Sequence, residues 1–190
     1  MEEIRIYCEN DRRYHTFPMG TDLKTISDSI YPSASLAALV NNQLKELSFK
    51  IMTTNTVRFI DYDHPDGRRT YIRSLCFVLQ NVIREMYPEK VLVIDYSLPS
   101  GLYCEIREKE EMYDGRPKVY FVTDEELERI QARMKEIIDA DLPFEKTKQT
   151  LEDTVKLFEA NGQKEKVNLA RSLGRITYSV YYLDGQADTF

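Results

Sequence analysis

The run Asp63-His64-Pro65-Asp66-Gly67 constrains this chain more than any other. Proline removes a backbone donor and Asp-Gly favours a turn, so the run reads as a clear break. It is placed as the boundary between a segment over residues 1–62 and a second over residues 66–190. A chain of 190 residues has room for one large domain or two small ones.

Upstream of the break, Ile4-Arg5-Ile6-Tyr7-Cys8 alternates like a strand, Glu9-Asn10-Asp11 turns, and Tyr14-His15-Thr16-Phe17 forms the second arm of a hairpin. After Pro18-Met19-Gly20-Thr21, either Thr21 or Asp22 can cap a short helix carrying Leu23, Ile26 and Ile30 on one face. Ala38-Leu39-Val40 is a short strand and Asn41-Asn42 a turn; Leu47 to Met52 and Val57 to Ile60 complete the strands. Hairpin, helix, then short strands is the order of a β-grasp (ubiquitin-like) module.

Downstream, Tyr71 to Met86 places Leu75, Val78, Leu79, Val82, Ile83 and Met86 at helical spacing, and Pro88 ends the helix. Val91 to Ile94 is expected as a buried strand and Leu102 to Ile106 as a second. The charged run Arg107 to Lys118, with Asp114-Gly115 inside it, reads as an exposed loop or hairpin tip. Thr123-Asp124-Glu125-Glu126 is a capping box, opening a helix with Leu127, Ile130, Met134, Ile137 and Ile138 on one stripe. Thr150 caps a helix over Leu151 to Ala160 that Asn161-Gly162 terminates. Ile176 to Leu183 is a tyrosine-rich strand turned by Asp184-Gly185. Strands mixed with unequal helices make the fold class α+β.

The net charge of -6 excludes a nucleic-acid footprint over the whole surface and leaves room for a local basic patch. Cys8, Cys76 and Cys104 are scattered, odd in number and form no Cys-x-x-Cys. That pattern fits a reducing cytoplasm and argues against a disulfide framework or a zinc knuckle. No apolar run reaches bilayer length, and Met1-Glu2-Glu3-Ile4 is unlike a signal peptide, so a cytoplasmic chain without a membrane partner is expected.

Pro18-x-Gly20-Thr21 before a helix, followed by Ala38-x-Val40-Asn41-Asn42, resembles a TGS domain, a small β-grasp module of threonyl-tRNA synthetases, certain GTPases and stringent-response enzymes. The resemblance implies a regulatory or RNA-facing role. Five blocks in the second segment resemble, in order and spacing, the editing (second additional) domain of threonyl- and alanyl-tRNA synthetases. They are Arg73-Ser74-x-Cys76-Phe77, Tyr87-Pro88, Ser100 to Glu105, Arg133-Met134-x-x-Ile137-Ile138, and Phe158-x-x-x-Gly162 with Lys166-Val167. Gly67-x-Arg69-x-Tyr71-x-Arg73 and Tyr181-Tyr182-Leu183-Asp184-Gly185 are similar to the N-terminal half of uridine kinase-like proteins of Bacteroides-type bacteria. That resemblance implies a β-grasp TGS domain and an editing-like α+β domain ahead of an ATP-dependent P-loop kinase domain, the expected partner in cis.

In the synthetase family the helix opens with His-Ser-x-x-His, and both histidines bind zinc. Here Arg73 and Phe77 stand in those places. An arginine is always protonated and cannot ligate a cation, so no catalytic residue, no metal ligand and no cofactor is assigned to this chain. No Gly-x-x-x-x-Gly-Lys-Ser/Thr run occurs in residues 1–190, so phosphoryl transfer is not expected of it; a P-loop would lie beyond Phe190 in a longer parent. The expected role is recognition of a nucleotide or RNA ligand and regulation of an attached kinase; the alternative is a stand-alone tRNA-binding protein. Candidate ligand-binding residues are Arg69, Arg73, Phe77, Tyr103, Cys104 and Tyr182. Arg73 can fork an anion or pair with a carboxylate such as Glu105. Tyr103, Tyr181 and Tyr182 can stack a base or simply pack with their hydroxyls satisfied. Cys76 and Cys104 are more commonly small buried groups than reactive ones. Arg68-Arg69 beside Arg73 is the most basic local patch, a phosphate contact or a solvated turn.

Overall fold

The computed structural model describes residues 2–31, 34–99, 101–113 and 116–189. The chain is α+β. It divides into two compact units, Met1–Cys76 and Phe77–Phe190.

In the first unit, β1 (Glu3–Cys8) and β2 (Arg13–Pro18) form the hairpin, and α1 (Leu23–Ile30) follows. β3 (Ala37–Val40), β4 (Gln43–Lys45) and β5 (Asn55–Ile60) complete a five-stranded sheet in the order β2-β1-β5-β3-β4. β1 and β5 run parallel at its centre, and the other pairs are antiparallel. Ile4, Ile6 and Cys8 alternate along β1, so one pleat face delivers them to a core shared with Leu23, Ile26, Val57 and Phe59. Asp22 rather than Thr21 caps α1, its Oδ1 accepting the Thr25 amide at 2.8 Å. Asn41 and Asn42 both sit at positive φ, 48° and 65°, as a tight hairpin turn requires.

Leu47 to Met52, expected as a strand, is not one. Its backbone bonds to the entrance of α1 instead of a ladder: Lys24 N–H donates to Leu47 O at 2.8 Å, Leu23 N–H to Phe49 O at 3.0 Å, and Ile51 N–H to Thr21 O at 3.0 Å. The short strand β4 was not expected.

The break at Pro65 is a helix start. α2 runs over Pro65–Met86, six residues longer at its front than the apolar spacing shows. Proline's fixed φ suits the first helical position, and the His64 Nδ1 accepts the Asp66 amide at 3.2 Å. Gly67 is demanded by close approach, because a Cβ there would lie 1.8 Å from the Asp61 carbonyl oxygen. The Pro and Asp-Gly signals of this run mark the entry to a helix rather than a loop.

In the second unit, β6 (Lys90–Leu98), β7 (Gly101–Tyr113) and β8 (Arg116–Tyr120) form an antiparallel meander. α3 (Asp124–Asp139), β9 (Glu145–Thr150), α4 (Leu151–Ala160), α5 (Lys164–Leu173), β10 (Thr177–Leu183) and β11 (Gln186–Thr189) follow. The last sheet has the order β11-β10-β9. Phe77, Val82 and Ile83 of α2 pack with Leu92, Ile106, Ile130, Ile137 and Leu183 in one core. Val155, Phe158, Val167, Ala170 and Tyr178 form a second, smaller one.

Several expectations change here. The charged run Arg107 to Lys118 is mostly strand: β7 and β8 pair antiparallel through it, so of the two readings, exposed loop or hairpin tip, the hairpin fits and the loop does not. Glu108 is held by Lys90 at 2.6 Å. The Asp114-Gly115 turn lies outside the described residues, as does Ser100. Val91 to Ile94 is a strand but not a buried one, since only Leu92 of the four is buried. On α3, Ile130 and Ile137 are buried while Leu127 and Ile138 are about half exposed. β9, α5 and β11 were not expected. β9 carries no apolar residue and is recruited through backbone pairing to β10, which period-2 hydrophobicity cannot reveal.

The capping box forms as expected. Thr123 Oγ1 accepts the Glu126 amide at 3.3 Å, and Glu126 Oε2 accepts the Thr123 amide at 2.9 Å. Tyr120 donates to the same carboxylate at 2.5 Å and Tyr87 at 3.2 Å. The Thr123 amide, then the Tyr120 hydroxyl, hold Glu126 down from its ordinary 4.5 to about 2, and the carboxylate in turn pushes Tyr120 up to about 12. A lowered acid contributes stability above its unfolded value and loses it as pH falls; a raised phenol contributes below its unfolded value and loses it as pH rises. Glu126→Gln is therefore expected to lower the urea midpoint by a constant amount between about pH 5 and pH 10, with the difference shrinking below and above that window. A difference that stays flat down to about pH 2 rules this account out.

Candidate functional site

Arg69, Arg73 and Phe77 are four residues apart along α2, so they share one face of the helix. Their environments differ. Arg69 is exposed and ion-paired with Asp66 one turn earlier. Arg73 is exposed, and so is Arg68, whose guanidinium lies 5.3 Å from the Tyr62 ring centroid. The first three turns of α2 thus present three arginines to solvent.

Phe77 has no exposed surface and is a core group, its ring centroid 5.7 Å from that of Phe144. A phenyl ring has no donor atom for a metal, and among the described residues no group of three or more His, Cys, Asp or Glu side chains is placed to hold one. The zinc chemistry of the resembling family does not fit these residues.

Tyr103 and Cys104 are neighbours on β7 and point to opposite sheet faces. Tyr103 stacks on Tyr96, centroids 4.8 Å apart and planes 14° from parallel, and donates to Glu105 at 2.9 Å. Glu105 also accepts from Arg107, at 2.7–2.8 Å, so this carboxylate has its partners on its own strand. Arg107 and then Tyr103 lower the Glu105 carboxyl below its usual range. Cys104 packs against the core and burial pushes its thiol up, away from the reactive thiolate. Tyr182 accepts from the Gln149 amide at 2.7 Å.

Sequence reading missed a buried charge network. Asp188 on β11 is fully buried. Lys166 of α5 contacts one carboxylate oxygen, and Arg84 of α2 lies 3.4 Å from the other. Arg84 also donates to Ala187 O at 3.2 Å. The Gln80 amide nitrogen donates to Asp188, and the Gln163 amide oxygen accepts from both Arg84 terminal nitrogens, at 2.9 and 3.2 Å. Burial lowers Arg84 to about 10; burial and then the Arg84 charge pull Lys166 down, and contact with the Asp188 carboxylate opposes both. The signal available was Arg84 inside the apolar stripe Val82, Ile83, Met86; nothing local marks Lys166 or Asp188.

No protein-family model matches the chain. Individual proteins do. It is 27% identical over 163 residues to a threonine–tRNA ligase of Carboxydothermus hydrogenoformans, which covers 86% of this chain and 24% of that protein. It is 27% identical over 169 residues to the threonine–tRNA ligase of Acetivibrio thermocellus, covering 87% and 25%. With that of Syntrophomonas wolfei it shares 24% over 189 residues, 98% of this chain and 28% of the relative. The chain spans about a quarter of the length of the curated relatives it matches. The class is thus an α+β chain, and what it is similar to is one quarter of a threonine–tRNA ligase. This supports the synthetase part of the resemblance read from the sequence and lends no support to the uridine kinase part. No helix among the described residues is long and apolar enough to cross a membrane.

Proposed function

We propose that this chain is a tRNA-directed recognition module, a TGS-like β-grasp joined to an editing-like α+β domain, without zinc-dependent hydrolysis. The observation that carries the reading is the similarity to threonine–tRNA ligases along 80–98% of the chain. The exposed Arg68, Arg69 and Arg73 on α2 supply the local basic patch that a chain of net charge -6 needs to meet a phosphate backbone. Phe77 supports recognition over metal chemistry. A regulatory role beside a nucleoside kinase domain rests on the sequence blocks alone and stands second.

The test is fluorescence anisotropy with a threonine-accepting tRNA and an unrelated tRNA across a salt series. Binding is expected, and Arg69→Ala with Arg73→Ala is expected to weaken it roughly tenfold and reduce the salt slope by about 1–2. Absence of binding to either tRNA at about 100 μM protein in low salt overturns the reading.

A further inference from the structure

The first unit carries a recess of about 270 Å³ between the β3–β4 turn and the segment leading into β5, lined by Asn41, Lys45, Phe49, Lys50, Met52 and Asn55 among others. The size lies just below the ~300–1,000 Å³ usual for small-molecule pockets. Its lining contains two lysines and no carboxylate, in a chain of net charge -6. Among the described residues neither lysine makes an ion pair; the Lys45 ammonium lies 5.1 Å from the Phe49 ring centroid.

The walls are built. Asn41 donates to Asn55 Oδ1 at 2.6 Å and accepts the Thr56 amide at 2.9 Å, tying the hairpin turn to the opposite wall. Asn55 in turn donates to Thr53 O at 2.6 Å. Phe49 and Ile51 are pinned by backbone bonds to the entrance of α1. Yet Phe49 is 39% and Met52 54% exposed. A fixed backbone that holds a ring and a thioether in water beside two uncompensated ammonium groups is the composition of a ligand site: an apolar surface with a few charged groups to orient the guest.

We propose that this recess binds a small organic anion, a phosphate or carboxylate on an aromatic or apolar body, with Lys45 and Lys50 taking the charge and Phe49 and Met52 the body. The inference is independent of tRNA recognition and rests on none of the α2 arginines.

The probes are phenyl phosphate, benzoate and inorganic phosphate, titrated into the ¹⁵N-labelled full chain. Phenyl phosphate or benzoate is expected to shift the amides of residues 43–55 with a Kd on the order of 1 mM or tighter. The stronger of the two identifies the anionic group. Lys45→Ala with Lys50→Ala is expected to weaken binding tenfold or more. Phe49→Ala is expected to bring the aromatic probe down to the level of inorganic phosphate. All three positions are partly or fully exposed, so the variants keep the fold. Silence of residues 43–55 at about 10 mM of both aromatic anions overturns the proposal, as does undiminished binding in the double-lysine variant. A single-stranded RNA that shifts these amides where neither aromatic anion does overturns it too and assigns the recess to RNA.

Discussion

Phe77→Ala is expected to destabilise the second unit by about 3–5 kcal/mol, the range for removing a fully buried phenylalanine. Phe77 has no exposed surface and belongs to one buried cluster with Val82, Ile83, Leu92, Ile106, Ile130, Ile137 and Leu183, drawn from α2, β6, β7, α3 and β10. A cavity at the meeting point of five elements cannot collapse without moving all of them. The informative companion is Phe77→His, which puts back the side chain the resembling family uses for zinc. Here it introduces an imidazole whose ring nitrogens need partners in an apolar core, so it is expected to lose stability as well and to gain no metal. Urea denaturation and metal analysis of the purified variants decide the matter. A cost below about 1 kcal/mol for Phe77→Ala rules out the packing role, and a Phe77→His protein that holds stoichiometric zinc at wild-type stability rules out the reading that metal chemistry is gone.

Asp188→Ala is expected to cost about 3 kcal/mol, because it leaves two partly buried cations without their shared counter-charge. Asp188 is fully buried and sits between Lys166 and Arg84, so it joins β11 to α5 and α2. The truncation penalty is not the value of the network. Removing the Lys166 charge as well, with Asp188→Leu and Lys166→Met together, is expected to recover part of the loss, the remainder being Arg84, which still lacks its counter-charge. Urea midpoints of the two variants measure this. If Asp188→Ala costs less than about 1 kcal/mol, the network is hydrated and the burial argument fails.

What was legible in the sequence was what nearest neighbours decide. The capping box at Thr123–Glu126, the Thr150 cap, the Asn41-Asn42 and Asp184-Gly185 turns and the apolar spacing of α2 all depend on residues within one or two turns of each other. Arg69, Arg73, Phe77, Tyr103, Cys104 and Tyr182 stand out as candidates because they sit in recognisable blocks. Their surroundings were not readable, since whether a phenylalanine at the start of a stripe lines a cleft or fills a core depends on which strands cover it. The hydroxyls of Tyr103 and Tyr182 are engaged by protein groups, as packed tyrosines usually are.

By itself the sequence determined the α+β class, the hairpin–helix opening, the caps of α3 and α4 and the lack of a metal-ligating atom at positions 73 and 77. Only the tertiary structure decided that β9 is a strand, that Pro65 begins a helix, that Phe49 and Met52 border a basic recess and that Asp188 is buried between two cations. The physical reason is common to all four. Periodicity and capping are short-range and survive in a string of letters, whereas a strand without apolar residues, a carbonyl that excludes a Cβ at Gly67, a cavity wall and a desolvated ion pair are each created by partners brought from elsewhere in the chain.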